Sequence, residues 1–380
     1  MIDFFPVPTS EILFTQRCNM ACLYCFEVEK KNTSMQKEDL LDFVKNLPSL
    51  SISLFGGEPF MDIDLFINLY DAIESKDMNE AQKKKILNSI TIGSNLITNG
   101  TLIESHIDFI KKYKITVQIS LDGPKEVNNL NRVYHNGNGT YEDIMKGIEF
   151  CIQNDIPWSF HGALSKNYFK YLPEIFDLFW DLAKKMSKDD INEAIKIHSQ
   201  NTFQIILEEE YTDDDIDIFL QKQASVFDKI SNLSEINEAQ RIKLFHAWFC
   251  RKGAVCGAGH TFFSVDSDLN VHTCHRTATQ PNKDDFRLVD LKDRSTFKYK
   301  VFNSYIALAK DAEMYSAILN IDKSWSGTHF QQNWCPAANN VESGTVFYQN
   351  AKYNLMIAEY GRFITELFDY AKIPLPKLGN

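Results

Sequence analysis

Over its first 230 residues the chain alternates, six times and without an internal sequence repeat, between a short β-rich run and a longer run with apolar residues three and four apart. The β-rich runs fall at 12–15, 52–55, 92–98, 115–121, 158–164 and 202–207. The amphipathic runs fall at 36–46, 63–73, 103–113, 141–153, 172–186 and 213–230. Strand–helix alternation of this kind favours a parallel sheet with right-handed crossovers. Six units are too few to close an eight-unit barrel, so the expected fold class is α/β, a partial (β/α)6 TIM-like barrel. In such barrels chemistry sits at the C-terminal ends of the strands. Thr140, with Asp143 three residues on, predicts a capped helix start, and 184–194 and 231–241 read as connections.

After Phe249 the pattern changes. Gly, His and Cys become frequent, apolar periodicity weakens, and only 301–319 and 353–371 look helical. The expected organisation is therefore a barrel over 1–240 and a cysteine-rich domain over 241–380.

Lys and Arg number 40 against 51 Asp and Glu, a net charge of −11. That balance argues against a nucleic-acid partner, which favours a basic face. No apolar run is long enough to cross a bilayer, and the first residues lack the basic head and cleavage site of a secretory signal. The expected location is cytoplasmic, with the eight cysteines as reduced thiols.

Three of those cysteines, Cys18, Cys22 and Cys25, crowd into eight residues directly after the first β-rich run. Spaced x3 and then x2 on a loop, they can wrap three thiolates around one small inorganic core. A 4Fe–4S cluster usually takes four cysteines, so three leave one iron open to a non-protein ligand. A structural zinc site is the weaker reading, because it wants paired ligands and a nearby fourth Cys or His, and none follows until His106.

Further motifs close the next runs. Phe55-Gly-Gly-Glu-Pro59 ends the second, Ile97-Thr-Asn-Gly100 the third, and Ser120-Leu-Asp-Gly-Pro124 the fourth, with Asn129-Leu-Asn-Arg132 just beyond. Each is also good turn chemistry, and two adjacent glycines let a backbone approach a ligand closely. With the three-cysteine loop, this set resembles the radical S-adenosylmethionine (SAM) superfamily. The resemblance implies a SAM-binding 4Fe–4S cluster on Cys18, Cys22 and Cys25. Its open iron would bind the SAM amino and carboxylate groups, and one electron would split SAM to methionine and a 5′-deoxyadenosyl radical. It implies Tyr24 against the adenine, Gly56, Gly57 and Glu58 near the amino group, and Ser120 and Arg132 as SAM contacts. An Arg fork suits a carboxylate. Asn99 and Asp122 either face the substrate or shape their loops. Leu164 either packs on adenine or belongs to the core.

Cys250, Cys256 and Cys274, followed by Trp334-Cys-Pro-Ala-Ala-Asn339, resemble the SPASM extension of peptide- and protein-modifying members. Full SPASM domains carry seven cysteines; the four here resemble the truncated Twitch form. That implies one auxiliary 4Fe–4S cluster on Cys250, Cys256, Cys274 and Cys335, while zinc is the alternative four cysteines equally make. Cys151 lies in an amphipathic run and reads as a core thiol.

Two positions depart from the pattern. Leu269 stands where a glycine is usual, which predicts an altered hairpin. His275 stands where related anaerobic sulfatase-maturing enzymes carry an Asp; it is either a catalytic proton acceptor or a hydrogen-bonding or structural residue.

The resemblance points to a maturase acting on a peptide or protein by cross-linking, thioether formation, epimerisation or oxidation, an oxidoreductase-type activity of the kind that modifies RiPPs. An electron donor such as flavodoxin or ferredoxin is implied. Cys18 lies too near the start for a preceding peptide-recognition domain, so a separate recognition protein is one expected partner. A small-molecule dehydrogenase or cyclase of the same superfamily is the alternative; a non-catalytic metal-binding protein is a third.

Overall fold

The computed structural model describes residues 9–27, 31–45, 52–74, 79–81, 83–84, 86–87, 95–200, 202–206, 209–249, 262–280, 283–293 and 351–374. They divide into two compact units. One is drawn from 1–120, 129–158 and 257–308, the other from 121–128, 159–256 and 309–380.

The first unit is built on a parallel sheet. Strands β1 (Thr9–Thr15), β2 (Ile52–Gly56), β3 (Asn95–Thr98) and β4 (Thr116–Ser120) lie side by side in chain order, all parallel. Helices α1 (Lys37–Lys45), α2 (Asp64–Glu74) and α3 (Ile107–Lys112) make the crossovers. β1 is flanked on both edges and buries Ile12, Leu13 and Phe14 in succession, the signature of a strand covered on both faces. α2 buries Phe66, Leu69, Tyr70 and Ile73, and Phe66 meets Phe14 edge-on at 4.3 Å. The expected runs agree with these elements to within about three residues, as hydrophobic period allows; 103–113 is split into a 3-10 turn and α3.

Helix α4 (Lys125–Asn131) has no counterpart among the expected runs, whereas α5 (Tyr141–Gln153) matches its run residue for residue. α5 buries Ile144, Gly147, Ile148 and Cys151, and burial pushes the Cys151 thiol up to about 12. The expected Thr140 cap is absent. Its hydroxyl donates instead to the Arg132 carbonyl at 2.9 Å, and Asn129 Oδ1 accepts the Thr140 and Tyr141 amides, each at 3.0 Å. Asp143 accepts the Tyr134 hydroxyl at 2.8 Å. The cap is overridden because the chain between Asn129 and Thr140 folds back and supplies its own partners.

The first unit gains three strands from the C-terminal part of the sequence. β7 (Phe262–Val265) joins the free edge of β1 in parallel, and β8 (Asn270–His272) and β9 (Arg287–Asp290) follow antiparallel. The β7–β8 hairpin forms without glycine: Leu269 takes a left-handed φ of 67° while burying all but 6% of its surface. Left-handed backbone costs a non-glycine residue about 1–2 kcal/mol, and burying a leucine contributes about 1.5–3 kcal/mol. Burial wins. Leu269→Gly, which loses the burial but relieves the strain, is therefore expected to lower stability by about 0.5–1 kcal/mol; a thermal melt in which the glycine variant is the more stable protein would reverse that ranking.

The second unit contains β5 (Trp158–Leu164) and its parallel partner β6 (Thr202–Ile205). Around them lie α6 (Leu172–Met186), α7 (Ile191–Gln200), α8 (Asp213–Asn232), α9 (Glu238–Phe249) and α10 (Ala351–Tyr370). The stretch 184–194 is thus mostly helical, with a turn at 187–190. α8 starts on a capping box between Thr212 and Asp215. The expected helix at 301–319 lies outside the described residues. Among the described residues no helix is long and apolar enough to cross a membrane.

Candidate functional site

The C-terminal ends of β1 and β2 are clamped together. Gly57 N–H donates to the Thr15 carbonyl at 2.9 Å, and Glu58 N–H to the Arg17 carbonyl at 2.8 Å. The approach leaves no room for side chains. A Cβ on Gly56 would stand 2.2 Å from the Thr15 oxygen, and one on Gly57 2.4 Å from the Arg17 oxygen. The two glycines are thus required by the chain that leads into Cys18. Arg17 donates to Asp62 Oδ1 at 2.6 Å, and the other Asp62 oxygen accepts the hydroxyls of Thr15 and Ser34.

Glu58 is fully buried. Its carboxylate accepts Phe60 N–H at 3.1 Å, Thr98 Oγ1 at 2.8 Å and Asn99 N–H at 2.7 Å, tying the end of β2 to that of β3. Burial dominates its ionisation and pushes the pKa up to about 7, against the three donors.

The loop that follows β1 carries Cys18, Cys22, Tyr24 and Cys25. All three cysteines are half-buried thiols outside any disulfide. A second segment holds the loop from its other side. Ala21 N–H donates to Val133 O at 2.8 Å, Leu23 N–H to Asn131 O at 3.0 Å, and a His135 ring nitrogen bonds the Cys18 carbonyl at 2.9 Å. This brings Tyr24 and Arg132 together, with the buried guanidinium 5.4 Å from the ring centroid. Asn99 Nδ2 donates to Asn19 Oδ1 at 2.7 Å, and Asn99 Oδ1 accepts Thr101 N–H at 3.0 Å, so Asn99 shapes two loops at once. Ser120 is the half-buried last residue of β4, one beyond the Thr98–Ile119 pair.

These residues fit a 4Fe–4S cluster. Three thiols share one loop whose backbone is fixed on both sides. Among the described residues no three His, Cys, Asp or Glu side chains converge on a single ion; a cluster does not need them to, since its cysteines bind different irons.

In the second unit, Asp122 is fully buried and accepts Ala163 N–H at 3.0 Å. Leu164 is buried at the end of β5, and its carbonyl accepts Ile206 N–H at 3.1 Å.

Of the four cysteines expected at an auxiliary centre, Cys250, Cys256 and Cys335 lie outside the described residues. Cys274 is buried and opens a short helical turn, His275–Ala278. His275 Nδ1 bonds Glu11 Oε2 on β1, and its ring lies 5.0 Å from those of both Phe26 and Phe55. Burial disfavours the charged ring, but the Glu11 carboxylate and the Cys274 sulfur outweigh it and hold the His275 pKa well above its ordinary value. Burial likewise opposes the Cys274 thiolate, and His275 overcomes it, so that thiol is lowered.

Sequence reasoning missed Glu11, Asp62 and His135, and noted Asn129 only as the first residue of a motif. Glu11 left one signal, an acidic residue entering the apolar run Ile12-Leu13-Phe14.

Residues 12–179 match the family model of the radical SAM superfamily. The cysteine-type anaerobic sulfatase-maturating enzyme of Clostridium perfringens (strain 13 / Type A) is 29% identical over 176 residues, 43% of this chain and 45% of that protein. The radical SAM cyclopropyl synthase TigE of Paramaledivibacter caminithermalis is 25% identical over 184 residues, 42% of this chain and 36% of that protein. The matches thus span less than half the length of either relative. A solved structure of native anSMEcpe with bound AdoMet and Kp18Cys peptide superposes with a TM-score of 0.64, covering 96% of this chain and 99% of that one at 21% identity. At that identity the likeness is one of fold. Sheet, cysteine loop and family match agree: residues 12–179 of this chain are a radical SAM domain.

Proposed function

We propose that the chain is a radical SAM maturase acting on a peptide or protein, organised as a partial (β/α)6 barrel over 1–240 and an auxiliary-cluster domain over 241–380. One observation carries the reading: the Cys18–Cys25 loop, with Tyr24 and Arg132 already paired beside it, is held at the C-terminal edge of the parallel sheet. When bound there, the cluster supplies the single electron that converts SAM to methionine and a 5′-deoxyadenosyl radical able to take hydrogen from substrate.

The chain's own groups prepare that site. Arg132 supplies a fixed positive charge for the SAM carboxylate, with Ser120 as a further polar contact. Tyr24 offers a ring face to adenine, with Leu164 as an apolar partner. The backbone at Gly56 and Gly57 serves the ammonium group, while Glu58, Asn99 and Asp122 hold their loops by the bonds described above. A second 4Fe–4S cluster is assigned to Cys250, Cys256, Cys274 and Cys335. The peptide reading draws on the relatives, which include sulfatase-maturating enzymes; flavodoxin or ferredoxin is the class of donor expected, with a separate recognition protein a further partner.

Anaerobically reconstituted protein given dithionite and SAM should release 5′-deoxyadenosine, and Cys22→Ala should reduce that release to background. Turnover that survives Cys22→Ala would remove the basis of the assignment. Candidate peptides co-expressed with the enzyme should change mass, or take up deuterium at one Cα if the product is an epimer.

A further inference from the structure

We infer that the segment after Cys274 is a brace for the SAM-cluster loop, with His275, Thr279 and Gln280 as positioning residues for Cys25. Thr279 Oγ1 donates to the Phe26 carbonyl at 3.2 Å and Gln280 Nε2 donates to the same oxygen at 3.4 Å. That carbonyl belongs to the residue directly after Cys25. Phe26 is gripped a second time through its ring, which stacks on Phe55 at 5.7 Å and meets the His275 ring at 5.0 Å. His275 is itself fixed to β1 through Glu11. The Cys18 end of the loop is held by the β1–β2 clamp and His135. The Cys25 end has its own support, which arrives from far along the chain: the separations are 253 and 254 residues for the two hydrogen bonds.

Two weak donors on one oxygen, each long for a hydrogen bond, do not make a rigid anchor alone. Ring packing adds what they lack: Phe26 cannot swing outward without leaving both Phe55 and His275. Thr279 and Gln280 are nearly buried, at 4% and 9% exposure, so water does not readily replace them. The brace needs no metal at Cys274.

The inference rests on the reading of Cys18, Cys22 and Cys25 as cluster ligands, and its test keeps the two apart. In the metal-free chain, iodoacetamide labelling followed residue by residue should quicken at Cys25 by about fivefold in Thr279→Val/Gln280→Leu, with Cys18 unchanged. Thr279→Ser, which keeps the hydroxyl, should label like the wild type. In the reconstituted chain the double variant should shift the EPR signal and midpoint potential of the reduced cluster. Its kcat for 5′-deoxyadenosine should fall about tenfold while the KM for SAM stays within about twofold. Equal Cys25 labelling in wild type and double variant overturns the brace, as does an equal rise at Cys18 and Cys25, which reports general loosening. If labelling responds as expected but wild-type protein binds no iron and sulfide, the brace stands and the cluster assignment falls.

Discussion

Gly57→Ala is expected to cost the protein the cluster chemistry proposed above, although it changes none of Cys18, Cys22 and Cys25. The added Cβ would lie 2.4 Å from the Arg17 carbonyl oxygen, and backbone cannot yield as a flexible side chain would. Arg17 must move by about 1 Å, carrying Cys18 with it, and a shift of that size at a reacting centre costs about 100-fold in rate. Stability should fall by about 1–3 kcal/mol, the usual cost of overpacking. Gly56→Ala should be at least as severe, since its φ of 147° adds backbone strain to a 2.2 Å clash with Thr15. Gly137→Ala is the control. That glycine also has positive φ, at 83°, but a Cβ there would meet nothing within 4 Å; the variant should lose about 1 kcal/mol of stability and no iron. Iron content and 5′-deoxyadenosine release answer the question together. A Gly57→Ala protein with wild-type values of both would show that the clamp is not what places the loop.

Glu58 should make the metal-free protein less stable as pH rises through neutrality. Its carboxyl titrates near 7 in the folded chain against an ordinary value of 4.5. Because the folded value is the higher one, folding binds a proton here. The stability this group contributes is complete below about pH 4.5 and is lost as pH climbs to about 7 and beyond. A displacement of that size corresponds to about 3 kcal/mol at most. Urea midpoints followed from about pH 5 to about pH 8.5 should therefore decline in the wild type beyond what other groups impose, and the decline should flatten in Glu58→Gln. The glutamine should also be less stable at low pH, because one of the positions now accepting from Thr98 and Asn99 would present an amide donor instead. Parallel pH profiles for the two proteins would show that the buried carboxyl stays ionised throughout.

The site was legible where its logic is local. Cys18, Cys22 and Cys25 announce themselves by spacing, and the Gly-Gly-Glu, Thr-Asn-Gly and Ser-Leu-Asp-Gly turns by their place after successive β-rich runs. What those residues do was less legible. Gly56 and Gly57 read as openings for a ligand, and the structure gives them a second duty, the close approach of β2 to the entry of the cysteine loop. Glu58 read as a polar group offered to SAM, yet three protein donors occupy its carboxylate. Asn99 and Asp122 stood open between substrate and loop, and their bonds run to Asn19 and Thr101 and to Ala163. Thr140 read as a helix cap by a rule that considers only its near neighbours, and lost that role to Asn129, 11 residues away.

By itself the sequence determined the parallel α/β sheet, because hydrophobic period is written residue by residue and needs no distant partner. It also determined the three-cysteine loop, because three thiols within eight residues stay neighbours in any fold. Only the tertiary structure decided that β7 extends the sheet beside β1, and that Glu11 meets His275 across a separation of 264 residues. It alone brought Thr279 and Gln280 to Phe26. Contacts over such separations are selected by packing of the whole chain, and no local preference encodes them.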